Sequence, residues 1–298
     1  MIGRMSSSQI HQSSLDVILD AQARLQRTQE QLATGKQVLT PSDDPVAASQ
    51  IMAIRSELSR IETLQKNANH AYAELSLAES TVGGIQDALQ RVRELAVRGN
   101  NDALGAEEKA MIAAEIEGLR TQIMSLANSK SASGEYIFAG FASNEAAYTE
   151  VNGVIIYQGD DNAREVNLSA STTMKTRLSG TQVFGADGAG LFDALNSLST
   201  SLRSNDRANF EAAFDALDAS TSTVSDARST LGVRMNQVSE QQSLNESFNL
   251  QLTKTLSGLE DLDFARAISD MNLQLVALEA AQQAYTQSQS TSLFDYLR

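Results

Sequence analysis

The chain has 298 residues, 42% of them hydrophobic but only 5% aromatic, with no Trp. Its formal charge of -14, from 23 basic and 37 acidic residues, argues against a nucleic acid or an anionic membrane surface as partner, since both demand clustered Lys and Arg. The absence of Cys excludes disulfides, thiolate metal sites and cysteine nucleophiles; besides drift, it fits a chain that crosses an export channel unfolded.

Met1 to His11 is polar and holds no apolar core of signal-peptide length. No run approaches a membrane span; the longest apolar stretch, Val154 to Tyr157, reads as a strand. Leu15, Ile18, Leu25 and Leu32 make a thin stripe at helical spacing, which predicts a helix from Ser13 to Thr34 with Gly35 as its C-cap. The two prolines follow in Thr40-Pro41-Ser42-Asp43-Asp44-Pro45. Proline is accepted at the first position of a helix, and Asp44, or Ser42 with Asp43, can cap it. Pro41, Asp43, Asp44 and Pro45 are therefore expected to form a rigid connector into a second helix from about Val46 to Arg98.

That second helix carries the strongest pattern. Steps of seven from Ile54 land on Ile61, Ala68, Leu75, Val82, Leu89 and Ala96, and a flanking row runs Leu64, Ala71, Ala78, Ile85, Val92. Two adjacent apolar rows imply more than one neighbour. Gly99-Asn100-Asn101 ends the helix, and Glu107 to Ser129 predicts a third. The pattern then turns β-like. Tyr136-Ile137-Phe138 reads as a strand, Tyr148 to Tyr157 as a hairpin around Asn152-Gly153, and Gly159-Asp160-Asp161-Asn162 as a turn before a strand through Val166 and Leu168. Thr176 to Phe184 is a candidate for one more strand.

Helices resume with Leu191 to Leu202. Asn205 or Asp206 then caps a long helix reaching Leu256, and a last helix follows Gly258. The long helix has its own row of seven: Phe210, Leu217, Val224, Leu231, Val238, Asn245, Leu252 and Leu259, polar only at Asn245. The last helix carries Ile268, Met271, Leu275, Leu278 and Tyr285 at spacings of three, four and seven. The expected fold is mainly α, a long antiparallel helical rod with coiled-coil packing and a small β insert. Its segments are 1–44 (N-terminal coiled coil), 45–133 (ascending rod), 134–190 (β insert), 191–259 (returning rod) and 260–298 (C-terminal coiled coil).

Chemistry is scarce. His11 and His70 are the two histidines, and both read as surface or partly packed side chains. Asp43-Asp44 and Asp160-Asp161 are better explained by a cap and a turn than by a cation. Gly35-Lys36 lacks the rest of a phosphate loop, and no G-x-S-x-G elbow exists. No catalytic, cofactor-binding or metal residues are assigned, and no enzyme activity or cofactor is expected. The terminal helices carry thin stripes, and isolated helices of that kind are marginal in water. Both ends are expected to order on an external surface.

The connector residues Leu32-Ala33-Thr34-Gly35-Lys36-Gln37-Val38 and Pro41 to Ala48 resemble the N-terminal signature of the flagellin superfamily, and the two prolines resemble its hook-associated junction branch rather than flagellin. Gly134-Glu135-Tyr136-Ile137-Phe138-Ala139-Gly140 and Tyr157-Gln158-Gly159-Asp160 are similar to the start of that branch's β insert. Leu217-Asp218-Ala219, Arg228 to Asn236 and Leu259 to Ala265 resemble the returning helix and its acidic linker, and Ser292 to Leu297 the aromatic tail.

The resemblance implies a structural adaptor exported through the flagellar type III apparatus without a cleaved signal. It implies a self-associated ring of subunits between hook and filament, touching another hook-associated protein and flagellin. It also implies paired terminal helices lining an inner tube, and a cytoplasmic chaperone on the C-terminal helix. The assembly residues on this reading are Leu15, Ile18, Leu25 and Leu32 pairing with Ile268, Met271, Leu275, Leu278 and Tyr285. Asp43, Asp44 and Pro45 would set the angle between layers. The alternatives are flagellin itself, or a cytosolic coiled-coil signalling or chaperone protein.

Overall fold

The computed structural model describes the backbone of residues 7–296 and the side chains of residues 12–287. In chain order the elements are helices α1 (Ser7–Thr34), α2 (Pro45–Gly99) and α3 (Ala106–Ala127), strands β1 (Tyr148–Val151), β2 (Val154–Tyr157), β3 (Glu165–Asn167) and β4 (Thr173–Lys175), and helices α4 (Gly180–Phe184), α5 (Leu191–Ser204), α6 (Arg207–Glu260) and α7 (Phe264–Tyr296). The chain divides into two compact units, 61–248 and 1–60 with 249–298, so α2 and α6 each contribute to both.

Within 61–248, the seven-residue rows become the core. Ala68, Leu75, Val82 and Ala96 of α2 and Leu217, Val224, Leu231 and Val238 of α6 are all 0% exposed. The helices run antiparallel in constant register: Arg93 pairs with Asp218 at 3.0 Å, Gln86 with Ser225 at 3.2 Å and Asn69 with Gln242 at 2.8 Å, in equal strides along both. The second α2 row is buried too, at Ala71, Ala78, Ile85 and Val92, and α3 and α5 cover its stretch from Gly84 to Gly99. Leu126 of α3 lies over Gly84, and Ile112 of α3 and Leu202 of α5 crowd Gly99.

The caps follow from local chemistry. Asp44 Oδ1 accepts the amides of Val46 at 3.0 Å and Ala47 at 2.9 Å, and Pro45 takes the first helical position, where no N–H is needed. Of the two candidates before α6, Asp206 is the cap, accepting the Asn209 amide at 3.1 Å. Asn205, with φ 54°, instead closes α5. α6 runs through Gly258 to Glu260, beyond the expected end.

Two expected strands are not strands. Tyr136 makes one isolated bridge to Lys130, while Ile137 and Phe138 drop into the core. Their backbone bonds go to loops, from the Tyr136 amide to Ser143 O and from Ile137 to Ser129 O. Within Thr176 to Phe184 the chain forms helix α4, started by Ser179, whose amide donates to the Gln182 side chain. The hairpin around Asn152-Gly153 forms as expected, pairing β1 with β2 antiparallel, with φ of 54° and 84° at the turn. β3 and β4 make a second antiparallel pair.

The two motifs similar to the junction-protein insert meet in space. The Tyr157 hydroxyl lies 3.0 Å from Phe138 O and 2.9 Å from Asp160 O. The Asp160 carboxylate accepts the amides of Phe141 and Ala142, both at 3.1 Å. Gly140 sits between them at φ +67°, where a Cβ would come within 2.2 Å of Asp160 O. Burial pushes the Tyr157 phenol up to about 12.

Leu75, fully buried in the row of seven, is expected to cost about 3 kcal/mol when cut to Ala. Leu278, half-buried in α7, should cost about 1 kcal/mol or less. Urea denaturation of the two variants at neutral pH checks the contrast; equal losses would contradict it.

Candidate assembly site: the terminal helix pair and its connector

In the unit formed by 1–60 and 249–298, α1 packs along α7. The inward positions of α1 are Ile18, Ala21, Leu25, Thr28 and Leu32; those of α7 are Ala267, Met271, Gln274, Leu278, Ala281 and Tyr285. On both helices they alternate spacings of three and four and repeat every seven, as two helices sharing one seam require. The Thr28 hydroxyl lies 3.0 Å from Gln274 Oε1 inside this seam. Burial is shallow: Ala267 is 6% exposed, Thr28 7% and Leu25 9%, and the remaining inward positions are half-buried.

The expected assembly residues therefore divide. Ile18, Leu25, Leu32, Met271, Leu278 and Tyr285 lie in the seam. Leu15 at 38%, Ile268 at 47% and Leu275 at 38% stay exposed beside it. Val17, Leu19, Leu273 and Val276, each more than half exposed, lie outside the seam as well. The aromatic tail, Ser292 to Leu297, and His11 lie outside the described side chains. The large apolar residues of the stripe do not reveal Ala21, Thr28, Ala267 and Gln274, whose signal is the seven-residue spacing itself, carried by small and polar residues.

The connector is held by charge and by backbone. Thr40 to Asp43 form a turn with Pro41 second, closed by the Asp43 amide on Thr40 O at 3.0 Å. Asp43 Oδ2 accepts the Thr40 amide at 2.9 Å and the Leu39 amide at 3.1 Å, and Oδ1 meets Arg27 of α1 at 2.7 Å. Chiefly the Thr40 amide, with help from Arg27, holds the Asp43 carboxyl below the usual carboxylate range. Gly35, at φ +69°, turns the chain out of α1 and sets Lys36 opposite Asp261 in a two-residue bridge. The Gln37 amide donates to Glu260 O at 2.7 Å and the Leu262 amide to Gly35 O at 2.9 Å.

Glu260 is the centre of this joint. It is 6% exposed; its carboxylate accepts Arg55 of α2 at 2.6 and 2.7 Å and Lys36 of the connector at 2.5 Å. The Lys36 hydrogen bond, followed by those from Arg55, holds the carboxyl below its ordinary value. Asp263 then starts α7 by accepting the Arg266 amide at 3.1 Å. Among the described residues no group of three or more His or acidic side chains is placed to hold a metal ion, and no helix is long and apolar enough to cross a membrane.

Residues 5–143 match the bacterial flagellin N-terminal helical region, and residues 214–297 the C-terminal helical region. The flagellar hook-associated protein 3 of Escherichia coli is 31% identical over 98% of this chain and 98% of its own length. The chain belongs to the flagellar hook-associated protein 3 family. The Salmonella typhimurium protein of that name is 29% identical over 99% of this chain and all of its own. The fold is shared with a putative flagellar hook-associated protein from Vibrio parahaemolyticus, with a TM-score of 0.69 at 22% identity over 74% of this chain and all of that one. The family places the protein among flagellin-like structural components of the flagellum.

Glu260 has a lowered folded pKa, so its contribution is present above the ordinary carboxylate pKa and lost as pH falls through the lowered value. Glu260→Gln is expected to destabilise this unit by about 2 kcal/mol at pH 7, and the gap to the unmodified protein should close towards pH 3. Thermal melts across that range read it; a gap independent of pH would contradict the assignment.

Proposed function

We propose that the protein is the adaptor between flagellar hook and filament, and that copies join in a ring by completing the α1–α7 pair. One observation carries this reading. The pair has a shallow seam that buries only Leu25, Thr28 and Ala267, yet it keeps Val17, Leu19, Leu273 and Val276 at 59–66% exposure. Burying a Val or Leu stabilises by about 1.5–3 kcal/mol. A lone subunit leaves that unused, whereas a closed ring of neighbours recovers it. Folding of the termini is thereby coupled to polymerisation.

On this reading Leu15, Ile18, Leu25 and Leu32 with Ile268, Met271, Leu275, Leu278 and Tyr285 are the assembly residues, with the exposed members facing adjacent copies. Pro41, Asp43, Asp44 and Pro45 set the angle between the two layers. The β insert faces outward. The chain leaves the cell through the flagellar type III route without a cleaved signal, and a cytoplasmic chaperone covers α7 beforehand. Neighbours in the assembly are another hook-associated protein and flagellin. The agreement with hook-associated relatives over nearly the whole chain supports this over a bulk filament subunit.

Leu275→Asp puts a charge on the exposed flank of α7. It is expected to leave the helical content of the monomer unchanged and to abolish both incorporation at hook ends and chaperone capture. Electron microscopy of hook-basal bodies and pull-down with the chaperone measure these. Normal incorporation of the variant would overturn the proposal, and growth of long filaments from the purified protein alone would favour flagellin.

A further inference from the structure

The polar residue that interrupts the α6 row has a specific job. Asn245 is 4% exposed. Its Nδ2 donates to the Leu168 carbonyl at 3.4 Å, and its Oδ1 accepts Gln241 Nε2 at 2.9 Å. From α2, Asn67 Nδ2 donates to the Asn167 carbonyl at 3.2 Å. Amides on two helices thus take two successive carbonyls at the end of β3. The Gln242–Asn69 bond lies in the same layer.

The Leu168 side chain is 1% exposed and belongs to the apolar core. The turn that carries it is tight. The Leu168 and Ser169 amides donate to Thr172 O at 3.0 and 3.3 Å, and Ser169 Oγ accepts the Thr172 amide at 3.0 Å. At this level the α2 rows hold Ala68 and Ala71, both fully buried, beside a half-buried Leu64. Small residues on one helix and a polar one on the other leave room in the seam for a side chain from elsewhere. A buried carbonyl without a donor is costly, so a leucine at 245 would fill the seam and strip Leu168 O of its partner. A single polar residue in an apolar heptad row is a known means of specifying one arrangement at some expense in stability.

A second grip lies eleven residues back along α6. The Arg234 guanidinium on α6 donates to Lys175 O at 3.2 Å and Arg177 O at 3.4 Å. Arg177 reaches Glu74 of α2 at 3.0 Å and also binds Glu135.

We propose that Asn245 and Asn67 are positioning residues forming a latch, with Leu168 as its plug, that locks the β3–β4 turn into the α2–α6 seam and fixes the orientation of the β insert. The insert then moves with the helices as one body, so every copy in an assembly presents the same outer face.

The test is hydrogen exchange with mass spectrometry on the full chain. In Asn245→Leu, amide protection across 165–175 should fall about tenfold, while that of Leu75–Ala96 in α2 holds or rises. Leu168→Ala, which leaves both helices untouched, should loosen the same segment. Unchanged protection at 165–175 in both variants overturns the latch. Should Asn245→Leu also unfold the helices, Leu168→Ala decides alone: loosening confined to 165–175 supports the latch, and none refutes it.

Discussion

The apolar row from Ile61 to Ala96, facing the row from Phe210 to Val238, is what the rest of the larger unit depends on. Most of its members have no accessible surface. Repetition every seven residues on both helices lets them stay in register through many turns, and the three cross-helix bonds from Arg93 to Asn69 keep that register to the residue. The second α2 row then recruits α3 and α5, and Tyr148, Phe184 and Phe192 close the packing in an aromatic cluster with ring centroids 4.9–5.7 Å apart. With so few aromatics, concentrating them where the helices meet the insert gives the one thick part of the core.

The terminal pair obeys the same seven-residue geometry with different residues. Alanine, threonine and glutamine at five inward positions remove little apolar surface from water, and the larger residues beside them are, Leu25 apart, only half-buried. The joint at Glu260 compensates locally. One carboxylate ties α2, the connector and the end of α6 together through Arg55 and Lys36. A backbone bridge fixes the connector against the start of the α6–α7 turn. Such a joint holds the geometry of a unit whose seam alone is weak.

Much of this was legible in the sequence because it rests on short-range rules. The rows of seven, the Asp44-Pro45 start of α2 and the Asn152-Gly153 turn each need only neighbours in sequence. What was missed needed the third dimension or a weaker local signal. Tyr136 to Phe138 has strand composition, but its hydrogen-bond partners are loops and its side chains serve as anchors. Helix α4 was announced by Ser179 and Gln182, a capping pair overshadowed by the β-branched and aromatic residues around it. In the terminal unit, the large apolar residues of the stripe do not mark the whole seam, and Ile268 and Leu275 lie on its exposed flank. The seam runs instead through Ala267 and Gln274, one residue away on the helix surface. Glu260 looked like part of an acidic linker; only its two cations, distant in sequence, reveal its role.

On the proposal that neighbouring copies complete the terminal pair, the two units differ in intrinsic stability, since the α2–α6 seam is buried within one chain. Hydrogen exchange of the unmodified monomer in dilute solution tests it most directly. Amides around Leu25 and Leu278 should exchange by local opening far sooner than those around Leu75 and Leu231. Equal protection across both sets would contradict the account.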